Sequence, residues 1–400
     1  MKKFTSTATK VAPDDFRLVV RQWLADNFPA ELSGKEPMQY DAPIVGNPAV
    51  DSWTLAMAQT GWGVPAWPKR YGGGGLSTDE ITILKEEMQA IGAWNPIAGM
   101  GVDLLGPTLL ELGSEEQKLE HIPAIARQEV RWCQGFSEPG SGSDLASLST
   151  KAEDKGDHFL VNGQKIWMSG GQYADKCFCL VRTDSSAKQA GISFLLIDMH
   201  QPGVEVRPIR IISGEETFCQ TFFTDARVPK ENLVGELNRG WDVAKRLLQH
   251  ERGGDYSGSL CAGYFGLDGS PAELAQRTLP QTEEGCIADA DLRGRITRHE
   301  MHYHAYQIAL RAAEAGAVPE IHPFGQGSVF KNRGTAIAQD RAELFIEILG
   351  LQGLGCAGSS FTEDEVEIAR AWLTSKAPSI FGGTYEIQNN IVAKRVLGLG

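Results

Sequence analysis

Residues 157–170 read DHFLVNGQKIWMSG, and the period of this stretch decides how the whole chain is organised. Its apolar residues fall in two short runs around Asn162-Gly163, a dipeptide that favours a two-residue hairpin turn. Further short runs follow: KCFCLVRTD, GISFLLIDM, GVEVRPIR and CQTFFTDARVP, parted by Gly, Pro and Asp. No helical period interrupts them, so the chain from about 132 to 235 is expected to be a block of strands.

On either side the period is helical. In DDFRLVVRQWLADNF, Phe16, Val19, Val20, Trp23 and Leu24 recur at helix spacing, with Pro13 and Asp14 as a start. Ser77 and Glu80 have the spacing of a capping box ahead of a second helix. GSEEQKLEHIPAIARQ continues the style, and helices return after Gly240 with WDVAKRLLQHERGG and TAIAQDRAELFIEILG. Residues 265–290 carry the weakest pattern and are expected to be partly loop. YGGGG, at 71–75, is expected to be a flexible loop; it lacks the strand–helix context of a dinucleotide fingerprint. The expectation is an α+β chain: an N-terminal helical domain over 1–131, a central β-domain over 132–237, and a C-terminal helical domain over 238–400.

Composition narrows the function classes. With 42% hydrophobic and 22% charged residues over 400 positions, the chain is ordinary globular protein. Its formal charge of −13 argues against nucleic acid or an anionic membrane as the main partner. No apolar run reaches bilayer length, and the N-terminus lacks the pattern of a secretory signal. The seven scattered cysteines read as free thiols, which suits the cytoplasm. Cys177 and Cys179 would share one face of a strand. His299, His302 and His304 are expected to be partly exposed helix residues and not a metal site. The Glu215-Glu216 pair is expected to be a solvated turn.

Three stretches carry the chemistry. GFSEPGSGSDLAS (135–147) is a small-residue loop able to present N–H groups and hydroxyls to polar ligand edges. In NGQKIWMSG, Trp167 and Ser169 lie two apart, so an extended strand puts a flat indole beside a hydroxyl, a pairing suited to a planar heterocycle. SIFGGTYEIQ (379–388) holds Gly382-Gly383, where backbone can approach a ligand with no Cβ in the way.

Taken in order, FSEPGSGSD, NGQKIWMSG, GISFLLIDM, RVPKENLVGE and FGGTYEIQ resemble the acyl-CoA dehydrogenase family, from GWGVPAWPKRYGGGGLS at 61 to the C-terminus. The resemblance implies a barrel-like β-domain between helical domains and an FAD between the β-domain and the C-terminal helices. It implies α,β-dehydrogenation of an acyl-CoA thioester to the trans-2-enoyl-CoA, as in fatty-acid β-oxidation. It also implies electron-transfer flavoprotein as acceptor and a homotetramer. Carried over by position, Phe136 and Ser137 match residues that meet the flavin pyrimidine. Trp167 matches the residue against the ring system, and Ser169 the hydroxyl near N5. Ser143 matches a serine on the CoA side, and Thr384 and Glu386 match positions near the adenosine end, the latter often glutamine in the family.

In many members the catalytic glutamate immediately precedes a Gly-Thr pair; here Gly382 stands there. A subgroup including the isovaleryl and long-chain enzymes places the base on the first C-terminal helix, in a Glu-Arg pair, and this chain has Glu251-Arg252. The resemblance therefore implies that Glu251 abstracts the α-proton while flavin N5 takes the β-hydride. Arg252 then contacts CoA, and the Gly382 amide, with a flavin ribityl hydroxyl, holds the thioester carbonyl.

Two departures matter. The Arg-x-x-Phe-Gly motif by which many members reach a neighbouring subunit's FAD is missing, and Glu347 stands where a glutamine often meets the pyrophosphate. A carboxylate there repels a diphosphate unless it is turned away or bridged. A heterotetramer with a related subunit, as in relatives acting on steroid side chains or dicarboxylic acyl chains, is the alternative assembly. A monooxygenase or oxidase on the same fold, or a partner subunit without activity of its own, are the rival functions.

Overall fold

The computed structural model describes residues 13–35, 46–253, 269–316 and 323–399; the side chains of 13–14, 251–253, 314 and 323–324 lie outside this description. The N-terminal helices are α1 (Pro13–Asn27), α2 (Pro48–Thr60), α3 (Thr78–Ala90), α4 (Gly106–Leu112) and α5 (Glu115–Ala126). Seven strands follow: β1 (Trp132–Gly135), β2 (Lys151–Asp154), β3 (His158–Ser169), β4 (Lys176–Arg182), β5 (Ile192–Asp198), β6 (Val204–Ile209) and β7 (Phe218–Pro229). The chain then runs through α6 (Gly240–Gly253), α7 (Pro271–Thr278), α8 (Ala290–Glu314), α9 (Pro323–Leu349), α10 (Glu363–Thr374) and α11 (Tyr385–Ile391). The α+β organisation expected from sequence is the one observed.

β4 lies at the centre. β1 runs parallel to it, β2 meets it in parallel at Lys151–Arg182, and β5 lies antiparallel on its other edge. β2, β3, β7 and β6 continue the sheet as antiparallel neighbours. β4 and β5 bury both faces. Phe178, Leu180, Phe194 and Leu196 join a core with the N-terminal helices. Cys177, Cys179, Val181, Leu195 and Ile197 face a second core inside the curled sheet. Cys177 and Cys179 therefore do share a face, and burial pushes both thiols well above their usual pKa. The six described cysteines are all free.

α6 crosses between domains. Its Val243, Ala244 and Leu247 pack into the core of the N-terminal helices, and Arg246 forms a bidentate pair with Glu111 of α4. The helix bearing Glu251 and Arg252 in its last turn is thus anchored from both its apolar and its charged side.

Several expectations need correcting. Asn162-Gly163 makes no hairpin: β3 runs straight through it as one strand. The reason is non-local. The Asn162 side chain exchanges hydrogen bonds with Asp225 of β7, both at 2.9 Å, and the ladder shifts register there, so the dipeptide forms a bulge. The 265–290 segment is partly loop as expected, over 279–289, but it also contains α7, begun by a Ser270–Glu273 capping box; residues 265–268 lie outside the described residues. Val19 is exposed, so the apolar stripe of α1 is narrower than read. His299 is buried, pairs with Asp340 at 2.8 Å and stacks on Tyr303, whereas His302 and His304 are exposed. No group of three or more metal-ligating side chains comes together among the described residues. The glycines at 72–75 are packed instead of loose: a Cβ on Gly73 would stand 2.2 Å from the Trp67 carbonyl oxygen.

Gly73→Ala should therefore destabilise the fold by about 2–3 kcal/mol, since backbone and not a side-chain tip must move. Gly294→Ala, exposed inside α8 with nothing within 4 Å, should stabilise by about 0.5–1 kcal/mol. Denaturant midpoints test both; equal midpoints for the two variants would contradict the packing described.

Candidate active site

The middle-domain residues singled out by sequence come together. β1 ends at Gly135, so Phe136 and Ser137 leave the sheet directly beside β3. The Ile166 N–H donates to the Ser137 carbonyl at 2.9 Å. The Phe136 ring is buried edge-on to Phe178 and Phe194. Between Lys165 and Met168 the β3–β7 ladder shifts register, and Trp167 sits there with φ at 60°. Such a bulge re-aims a side chain. Here it leaves the indole 56% exposed while Met168 is fully buried, and Phe218 supports the indole edge-on at 6.1 Å. Ser169, two residues on, borders a small cleft that is also lined by Met100, Gly101, Val102 and Trp132.

Beneath this surface lies a charge pair that the sequence reading passed over. Lys165 is 0% exposed and its Nζ donates to Glu138 Oε1 at 2.8 Å and to the Phe136 carbonyl at 3.1 Å. Glu138 Oε1 also accepts from the Thr150 N–H at 2.8 Å, and Oε2 from the Ser149 N–H at 2.7 Å and hydroxyl at 2.8 Å. Burial pushes the Glu138 carboxyl up, but the Lys165 charge and these hydrogen bonds outweigh it and hold the pKa at about 2. The available signal was an inward-facing lysine in an alternating strand. Ser143 stands exposed on the loop that Glu138 closes.

A second cluster forms at the C-terminal turn. Gly382 and Gly383 have φ of 63° and 95°, a region that favours glycine, and a Cβ on Gly383 would meet Gln388 Nε2 at 2.7 Å. Both carbonyls are tied back: Gln388 donates to Gly382 at 2.6 Å, and Lys331 of α9 to Gly383 at 2.7 Å. Among the described residues none accepts from the Gly382 N–H. Thr384 caps α11 through the Ile387 N–H, and Glu386 turns back on its own helix start. Its pKa is lowered by hydrogen bonds from its own amide and from Thr384. Glu347 is bridged by Arg295 at 2.6 Å, so its charge is met within the chain. Glu251 and Arg252 end α6, and their side chains lie outside the described residues. No hydrogen bond or ion pair among the described residues joins the Trp167 cluster to the Gly382 turn.

Three family models match the chain in order: the acyl-CoA dehydrogenase N-terminal domain over 13–129, the middle domain over 133–226 and the C-terminal domain over 238–397. The acyl-CoA dehydrogenase IpdE1 of Mycobacterium tuberculosis is 36% identical over 390 residues, covering 96% of this chain and 97% of that protein. The chain belongs to the acyl-CoA dehydrogenase family. Another relative, acyl-CoA dehydrogenase FadE34 of the same organism, is 35% identical over 86% of this chain and 46% of its own length. Among solved structures, a Tcur3481-Tcur3483 steroid ACAD superposes with a TM-score of 0.73 at 27% identity, over 97% of this chain and 98% of that one. The ChsE4-ChsE5 complex of Mycobacterium tuberculosis does so at 0.71 and 27%, over the full length of both chains.

As an acyl-CoA dehydrogenase the protein is FAD-dependent, and the site fits that cofactor. The bulge offers a flat apolar face for a planar ring system. The C-terminal turn is a cradle whose room a Cβ on Gly383 would fill.

The pH dependence of stability should report Glu138. Its folded pKa lies below the ordinary 4.5, so its contribution is complete above 4.5 and is lost as pH falls from 4.5 towards 2. Over that window it amounts to about 3 kcal/mol. Unfolding free energies at pH 5 and pH 3 should fall more steeply in wild type than in Glu138→Gln; parallel slopes would contradict the assignment.

Proposed function

We propose that this acyl-CoA dehydrogenase uses Glu251 as base and the Gly382 N–H as the donor that holds the thioester carbonyl. The reading rests on one observation above the others: the Gly382 amide lies in a turn whose two carbonyls are both pinned, with no carboxylate at that position. The two pinned peptides follow that amide directly in the chain and restrain the turn that presents its N–H while charge grows on the thioester oxygen, which is where fixed donors lower a barrier most. The carboxylate must then come from a facing element, and α6 is anchored to carry it. Glu251 takes the α-proton from the substrate carbon; the electron pair of that C–H bond becomes the new double bond as a hydride leaves the β-carbon. Bound FAD supplies the two-electron acceptor for that hydride. Phe136, Ser137, Trp167 and Ser169 seat its ring system, and Thr384 and Glu386 lie towards its adenosine end. Ser143 and Arg252 meet the CoA portion.

The domain limits follow the same reading: 1–131, 132–237 and 238–400. Electron-transfer flavoprotein is the proposed acceptor. The substrate class we favour is a steroid-derived acyl-CoA, because a solved relative similar over nearly the full length is described as a steroid ACAD. The two-chain descriptions of both structural relatives also support an assembly of this chain with a related subunit over a homotetramer.

Glu251→Gln should retain flavin and thioester binding but lose turnover by about 10²–10⁴-fold, the usual worth of a positioned general base. Steady-state dye reduction beside flavin content and thioester affinity separates the two effects. Turnover at the wild-type rate would remove Glu251 from the mechanism.

A further inference from the structure

We propose that Glu138 and Lys165 are positioning residues for the flavin: their ion pair preforms the seat by locking the Phe136–Ser137 segment onto β3 before the cofactor arrives. The inference rests on the flavin seat proposed above. One ammonium makes both decisive contacts, to Glu138 at 2.8 Å and to the carbonyl of Phe136 at 3.1 Å. Lys165 lies two residues before Trp167, and Glu138 directly follows Ser137. The pair therefore couples the two stretches that meet the same ring system. The Ile166–Ser137 hydrogen bond at 2.9 Å continues the coupling one residue nearer the indole. On its other side the Glu138 carboxylate takes both N–H groups of Ser149 and Thr150, so the far end of the small-residue loop is held in the same frame.

An apolar pair of similar volume would fill this space without the desolvation of two charges. Buried ion pairs are poor stabilisers compared with such replacements. What they supply is direction: a charge-assisted bond fixes the Phe136 carbonyl, and hence the peptide plane that follows it, where packing alone would let it rock. Every acceptor position of Glu138 that the structure shows in use points to the loop or to Lys165, so displacement of either segment breaks several bonds together.

The test uses full-length protein purified with its FAD, then stripped and reloaded. In the double variant Glu138→Gln/Lys165→Met no charge is left buried alone, so secondary structure and melting should stay near wild type. FAD affinity should nevertheless fall about tenfold or more, and the visible absorption bands of the bound flavin should change shape. Glu138→Asp keeps the charge but shortens the arm; it should fold and show a smaller loss of the same kind. Wild-type affinity with an unchanged flavin spectrum in the double variant would overturn the proposal. Hydrogen exchange on the wild type gives an answer independent of any variant. The amides of Ser149, Thr150 and Ile166 should be protected equally with and without FAD. Protection that arises only on FAD addition would show that the flavin orders the loop and would overturn preformation. A wild-type protein that takes up no FAD would overturn the seat itself, a failure distinct from that of the ion pair.

Discussion

The structure depends on two adjacent strands that have no solvent face. β4 and β5 send alternate side chains into different cores, Phe178 and Phe194 one way, Cys177 and Leu195 the other. A strand pair buried on both sides must be covered twice. Curling the rest of the sheet covers one face, and the N-terminal helices with α6 cover the other. That second cover brings α6, and with it Glu251, against the domain that carries Trp167. The Phe178–Phe194 stack, parallel to within 6° with ring centroids 6.0 Å apart, is also the floor under Phe136. The core that holds the domains together is the core that supports the site.

The site divides its work between rigid pieces. On the sheet, the bulge turns Trp167 outward while the buried Lys165–Glu138 pair fixes the loop opposite. In the C-terminal helices, Gln388 and Lys331 hold the glycine turn by its carbonyls. Under the proposed mechanism no carboxylate is required beside Gly382, because the amide comes from backbone and the base reaches from a facing helix. The proposed division of acid and amide between different elements leaves the turn free to be two glycines, which the left-handed φ values of Gly382 and Gly383 favour.

Much of this was legible because it is local. The Ser77–Glu80 capping box follows from two residues three apart, and it is present. The alternation along β4 put Cys177 and Cys179 on one face without any knowledge of the fold. What failed was non-local. Asn162-Gly163 reads as a turn until Asp225, 63 residues on, takes the Asn162 side chain into a bulge. His299 is buried because Asp340 meets it from α9. Gly73 looks slack until Trp67 fills the space it vacates. Lys165 stood at an inward position in plain sequence, but its partner lies 27 residues earlier, inside a loop of small residues whose text gives no spacing rule.

The most direct test of the account is an anaerobic titration of the purified protein with acyl-CoA thioesters, following flavin absorbance. The panel holds straight-chain, branched, dicarboxylic and steroid-side-chain thioesters. The account predicts that the flavin band bleaches on addition of a thioester, with the steroid-derived one acting at the lowest concentration. A yellow protein that no thioester bleaches would contradict dehydrogenation at this site.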